Sequence, residues 1–168
     1  PVGSVGNSGW SSNYKQQLRY IQENHLRTDP INMFWDDLCE ALKQWRDRGD
    51  QLVLMMDANN NVWNGKFTKK LAAEGLEMRE AVHTAKPKMG PKTHINGSEP
   101  IDGIWYTKDL EMTKASYLPF DAQLGDHRPV VADFTQTSVL GAKLPSIAPH
   151  QARRLTSKVK RIRDKYIK

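Results

Sequence analysis

Gly125-Asp126-His127-Arg128-Pro129-Val130-Val131-Ala132-Asp133-Phe134 is the stretch on which the reading of this chain turns. Its second half is rich in β-branched and aromatic residues and admits proline only at its start, which predicts a strand. Asp126 and His127 then stand on a loop at the mouth of that strand. Loops held by a rigid sheet are where catalytic groups usually lie. Two more acids occupy comparable places upstream. Residues 52–56, Leu-Val-Leu-Met-Met, form an apolar run too short for a helix and read as a strand buried on both faces. Asp57-Ala58-Asn59 follows at the carboxyl end of that strand, a favoured position for a site in an α/β protein. Ile101-Asp102-Gly103-Ile104-Trp105-Tyr106 reads as another apolar strand with an acid inside it. A carboxylate there needs a buried partner, and His127 is the candidate.

The rest of the chain alternates with these runs. Tyr14, Leu18 and Ile21 predict a short helix over 13–23. Asp29-Pro30 supplies an N-cap and a proline at the first helical position. Ile31, Phe34, Trp35, Leu38, Cys39, Leu42 and Trp45 then recur at three- and four-residue steps, which predicts an amphipathic helix ending before Gly49. Asn64 is placed to cap a further helix carrying Phe67 and Leu71, which stops near Gly75. A helical piece is expected around 78–82, a loop over 86–92, a short strand at 93–95 and a strand over 112–120. Residues 135–149 read as a polar linker, and 150–167 as a basic helix with Leu155, Val159 and Ile162 along one side.

Charge is unevenly placed. The last 18 residues hold eight Lys or Arg against Asp164 alone, a net +7, which leaves the preceding 150 residues at −1 of the chain's +6. No run approaches the length of a membrane span. Cys39, the one cysteine, rules out an intrachain disulfide and reads as a buried thiol on a helix face. That, with no visible signal peptide, favours an intracellular setting. No Cys/His spacing suggests zinc.

Three motifs follow one another: Asp57-Ala58-Asn59, then Ile101-Asp102-Gly103-Ile104, then Gly125-Asp126-His127-Arg128-Pro129-Val130. The acids are spaced by 45 and 24 residues. This order resembles the second half of the endonuclease/exonuclease/phosphatase superfamily, the deoxyribonuclease-I-like fold. Its pattern is a strand ending in G-D-x-N, a strand carrying I-D-x-I/F, and a closing S-D-H-x-P-V. Met56 stands where that family usually has Gly, and Gly125 where it usually has Ser.

The resemblance implies an α/β protein forming part of a four-layer α/β sandwich, one sheet with packing helices, followed by the basic C-terminal helix. Residues 1–135 would be the C-terminal portion of such a domain, and 136–168 a linker and basic helical tail. It also implies Mg²⁺-dependent (or Mn²⁺-dependent) phosphodiester hydrolysis. Asp57 would orient or deprotonate the attacking water, and Asn59 would hold the phosphate or that water. Asp126 would bind the metal, His127 would donate to a phosphate oxygen, and Asp102 would fix the His127 ring. Nucleic acid is the expected partner, in keeping with the basic tail and with a retrotransposon-like polyprotein. An inositol phosphate or lipid headgroup is the alternative substrate, and a catalytically inactive fragment acting only in binding is the rival of another class.

The family's metal-binding Glu, in a Gln-Glu pair of its first half, has no evident counterpart. Gln22-Glu23 precedes Asp57 by only 34 residues and lies on a helix pattern. A missing N-terminal half is therefore expected as a partner. Without it one sheet face would be bare, and the piece metastable and of doubtful activity alone. Lys86, Lys88 and Lys92 read as a solvated loop. His25, His83, His94 and His150 read as structural or surface residues.

Overall fold

The structure is a computed structural model, and it describes residues 12–88, 90–122 and 124–141. The expected basic helix over 150–167 lies outside the described residues. Within them the chain is a mixed α/β protein with two small antiparallel sheets and several helices. Helix α1 (Asn13–Glu23) precedes α2 (Pro30–Asp47). As its sequence predicts, α2 begins at Asp29, whose carboxylate accepts from the backbone N–H groups of Ile31 (2.9 Å) and Asn32 (3.1 Å). The chain turns out of α2 through Gly49 at φ +89°, a conformation that suits glycine.

Strand β1 (Val53–Asp57) leads through a loop to α3 (Lys66–Ala73). The cap of α3 differs from the sequence expectation. Gly65 is its N-cap and gives no side-chain bond, whereas Asn61 takes the N–H groups of Trp63 and Asn64 in a turn just upstream. The segment expected as a helical piece divides into strand β2 (Met78–Glu80) and helix α4 (Ala81–Ala85). Buried Glu80 is the hinge between them, accepting from His83 N–H at 2.6 Å. Strand β3 (Asp102–Thr107), β4 (Met112–Tyr117) and β5 (Val130–Phe134) complete the sheets, and a short helix α5 (Gln136–Leu140) occupies part of the expected linker. A 3₁₀ turn, Phe120–Ala122, replaces the last part of the strand expected over 112–120.

The larger sheet has the order β1-β3-β2, with both pairings antiparallel, and β4 pairs with β5 in the second. Two expectations are corrected here. The described residues form two sheets rather than one, and β1 is an edge strand that is not buried on both faces. The physical reason lies in β3. Its side chains are apolar on both sides, so both sides must be covered. Trp105, fully buried, packs on one side against Trp35, Phe67 and Leu71 of the helices. Ile104 and Tyr106 point the other way and are covered by the β4–β5 pair through Ala115, Ala132 and Phe134. Val53 and Met55 share that second face, by their pairing with Tyr106 and Ile104. The β4–β5 pair does not reach them: Val53 is 42% and Met55 71% exposed.

Cys39 is buried within the helix-side core, and its desolvation raises the thiol's pKa, so it is a packing residue. No helix among the described residues is long and apolar enough to cross a membrane.

Candidate active site

The site forms where β1 and β3 begin to part. In their antiparallel register the last residue of β1, Asp57, stands opposite the first of β3, Asp102. Cross-strand partners project from the same face, so the pairing alone brings two carboxylates together. His127 arrives from the loop before β5. Its Nδ1 lies 2.8 Å from Asp102 Oδ2, and ligand-capable atoms of Asp57, Asp102 and His127 all lie within 4.8 Å of one another. The three acid-bearing motifs thus meet at one place, 45 and 24 residues apart in sequence.

Asp102 is held on all sides. Its side chain is 15% exposed. The hydroxyl of Thr93, fully buried, accepts from the backbone N–H groups of Ile101 (2.8 Å) and Asp102 (3.1 Å). The Tyr117 hydroxyl donates to the Asp102 carbonyl at 3.2 Å, and burial raises that hydroxyl's pKa, keeping it a donor. Gly103 packs closely here, and a Cβ would stand 3.0 Å from the Trp105 ring and 3.1 Å from Val62, so both would have to shift to admit one. The hydrogen bond from His127 to Asp102, followed by the charge of Asp102 and then of Asp57 and Asp126, raises the His127 pKa against the opposing effect of burial. With Nδ1 engaged, His127 keeps Nε2 without a hydrogen-bond partner among the described residues.

Asp57 serves two purposes. Its Oδ1 accepts from the Asn59 N–H at 2.9 Å, closing a tight turn. Asn59 takes φ +46° there, a left-handed conformation that asparagine tolerates well. This is the turn-forming role that Asp57 and Asn59 would have in any loop. It leaves the Asn59 amide without a partner among the described residues. Asn59 belongs to neither grouping of ligand-capable side chains.

Asp126 occupies the other side of His127, away from Asp57. It groups with His94 and His127 and is 68% exposed. Its pKa is lowered, first by its own backbone N–H and, after the opposing effect of burial, by the bond from His94 and the charges of His127 and His94. His94, set aside in the sequence as a structural or surface residue, is the group that sequence reasoning missed. The Asn96 N–H donates to His94 Nδ1 at 3.2 Å, so Nδ1 is an acceptor and the proton resides on Nε2. Nε2–H then donates to Asp126 Oδ2 at 3.3 Å. The His94 ring also meets the His127 ring edge-on, with centroids 4.8 Å apart. The expected strand at 93–95 is a single bridge between His94 and His127, flanked by Ile95 N–H to Asp126 O (2.8 Å) and Arg128 N–H to Thr93 O (2.6 Å). The signal present in sequence was Thr93 itself, two residues after Pro91 and leading into the Asp102 motif.

Glu23 stands exposed at the end of α1 and enters neither grouping. The acids at the site are therefore Asp57, Asp102 and Asp126. They fall in two groupings that share His127, Asp57 and Asp102 in one and Asp126 with His94 in the other, and either grouping could hold a metal ion. Searches among models of known protein families, curated proteins and solved structures found no match to this chain.

Proposed function

We propose that this chain carries the reacting centre of a metal-dependent phosphodiesterase that cleaves nucleic acid. The observation that carries the reading is the 2.8 Å bond between Asp102 and His127 with Asp57 alongside. A buried, sheet-held carboxylate that orients an imidazole and favours its cation makes a donor suited to a phosphate oxygen. A divalent ion held by Asp126 would supply neutralisation of the phosphate's charge.

Each remaining role falls to this chain's own atoms. Asp57 accepts a proton from the attacking water through the oxygen not used in its turn. The Asn59 amide, unpartnered at the lip of the site, hydrogen-bonds the phosphate or that water. His127 donates from Nε2 to a non-bridging oxygen while Nδ1–H stays on Asp102. His94 holds Asp126 through Nε2–H, as a carboxylate ligand is commonly held by a neighbouring donor.

The architecture supports the same reading. A helix layer, a three-stranded sheet and a two-stranded sheet stack in that order, as in part of a four-layer sandwich. The uncovered Val53 and Met55 lie on the strand that ends in Asp57, the surface that another portion of the domain would cover. Among the described residues no Glu joins either grouping, so the ion would be held weakly and turnover would be slow. A basic tail gives salt-dependent attraction to a nucleic-acid backbone. The test is hydrolysis of bis(p-nitrophenyl) phosphate at saturating Mg²⁺. Turnover that EDTA and Asp57→Asn each abolish supports the proposal. Turnover indifferent to Asp57 would sink it.

A further inference from the structure

A cleft of about 270 Å³ opens beside Asp57, between the first turns of α2 and the loop that follows β1. Its lining includes the polar Asp57, Asn59 and Lys66 together with the apolar Ile31, Phe34 and Met56. Ile31 is 40% exposed, an aliphatic side chain left to water beside the reacting centre. Lys66 makes no ion pair among the described residues.

Charge and shape select the ligand. Lys66 is the one cation of the lining, against the carboxylates of Asp29 and Asp57. A headgroup with several phosphates would meet net negative charge and leave the apolar side chains unused. A planar, uncharged group meets apolar side chains to lie against. The cleft has room for one such group.

We infer that this cleft receives one nucleobase of a nucleotide flanking the phosphate held at Asp57 and His127, with Lys66 against a neighbouring phosphate. The inference rests on the phosphodiesterase reading of the Asp57, Asp102 and His127 cluster. A base seated in the cleft cannot be paired, so the substrate class is single-stranded or locally unpaired nucleic acid.

The test is binding, followed by backbone amide shifts of the full chain in Mg²⁺. The probes are single-stranded tetradeoxyadenylate, a base-free deoxyribose phosphate tetramer and inositol trisphosphate. The base-bearing tetramer should move the amides of Ile31, Phe34 and Lys66 together with those of Asp102 and His127. The base-free tetramer should move Asp102, His127 and, through the neighbouring phosphate, Lys66, but not Ile31 or Phe34. Ile31→Asn, uncharged and at an exposed position, should weaken the base-bearing tetramer roughly tenfold and leave the base-free one unchanged. Equal movement of Ile31 and Phe34 by the base-free tetramer or by inositol trisphosphate would overturn the inference, as would movement of Asp102 and His127 alone with the base-bearing one. In those cases the reacting centre stands. Cleft shifts without any at Asp102 and His127 would instead overturn the reacting centre, and shifts at neither place would overturn both.

Discussion

The two sides of the His127 ring are built differently. On the Nδ1 side, Asp102 sits on a strand, 15% exposed, at 2.8 Å, with its backbone fixed by Thr93 and Tyr117. On the other side, Asp126 sits on a loop, 68% exposed, held by His94 at 3.3 Å. The first contact is made by the fold before any ligand arrives. The second is an exposed carboxylate steadied by one imidazole, within a grouping of side chains that could hold a metal ion. The difference assigns preorganisation to the sheet and exchange to the loop, and substitutions on each side should fail in different ways.

The largest effect is expected at Asp102. Asp102→Asn removes the charge that favours imidazolium while keeping the size of the side chain. Turnover should fall roughly 10²–10⁴-fold, the usual range for a lost acid–base partner, with little change in the Mg²⁺ needed for half-maximal rate. A main effect on Mg²⁺ requirement would reverse the assignment of the two sides.

On the loop side the expectation is the opposite. His94→Phe keeps a ring against His127 but loses the donor to Asp126. The Mg²⁺ concentration for half-maximal rate should rise about 10–100-fold, the typical cost of losing a group that orients a metal ligand. His94→Gln, which can still donate from its amide, should recover most of it. A fall in turnover at saturating Mg²⁺ with no change in metal requirement would place His94 in the reaction itself.

Thr93 tests the support beneath Asp102. Thr93→Val keeps the shape and leaves the N–H groups of Ile101 and Asp102 unpaired in a fully buried position. Unfolding in urea should show a loss of about 1–3 kcal/mol. A neutral result would mean that the β3 start is held by its strand pairing alone.

The smallest effect concerns pH. His127 binds its proton more tightly folded than unfolded, because Asp102 stabilises the cation. Its contribution to stability is then full below the ordinary histidine pKa of about 6.5 and is lost as pH rises through the folded value. In metal-free protein, the His127 ring should titrate above that ordinary value by NMR, and Asp102→Asn should bring it back down. An unchanged midpoint would separate the geometry of the pair from its electrostatics.

Much of this arrangement could be read from the residues. The apolar runs around 53–57, 102–107 and 130–134 are strands, and each carries or adjoins its motif acid. Helix α2 has the cap and the buried Trp35, Cys39 and Leu42 that its spacing predicts. What could not be read is how the strands share their faces. Val53 and Met55 have the same apolar chemistry as Leu54 and Met56, and only the position of β4–β5 decides which are left exposed. The antiparallel register that sets Asp57 opposite Asp102 is a long-range fact of the same kind. His94 escaped notice because one imidazole on a loop has no periodicity, and its partner lies 32 residues away. Asn64 looked like a cap, and Asn61, three residues earlier, took the local N–H groups instead.

The most direct measurement is nicking of supercoiled plasmid by this chain at saturating Mg²⁺, beside EDTA and His127→Ala. The account predicts slow nicking that needs the metal and disappears in His127→Ala, while the variant keeps the wild-type unfolding curve to within the loss of one partly exposed side chain. Nicking that survives His127→Ala, or a folded chain that never nicks at any Mg²⁺ concentration, would contradict it.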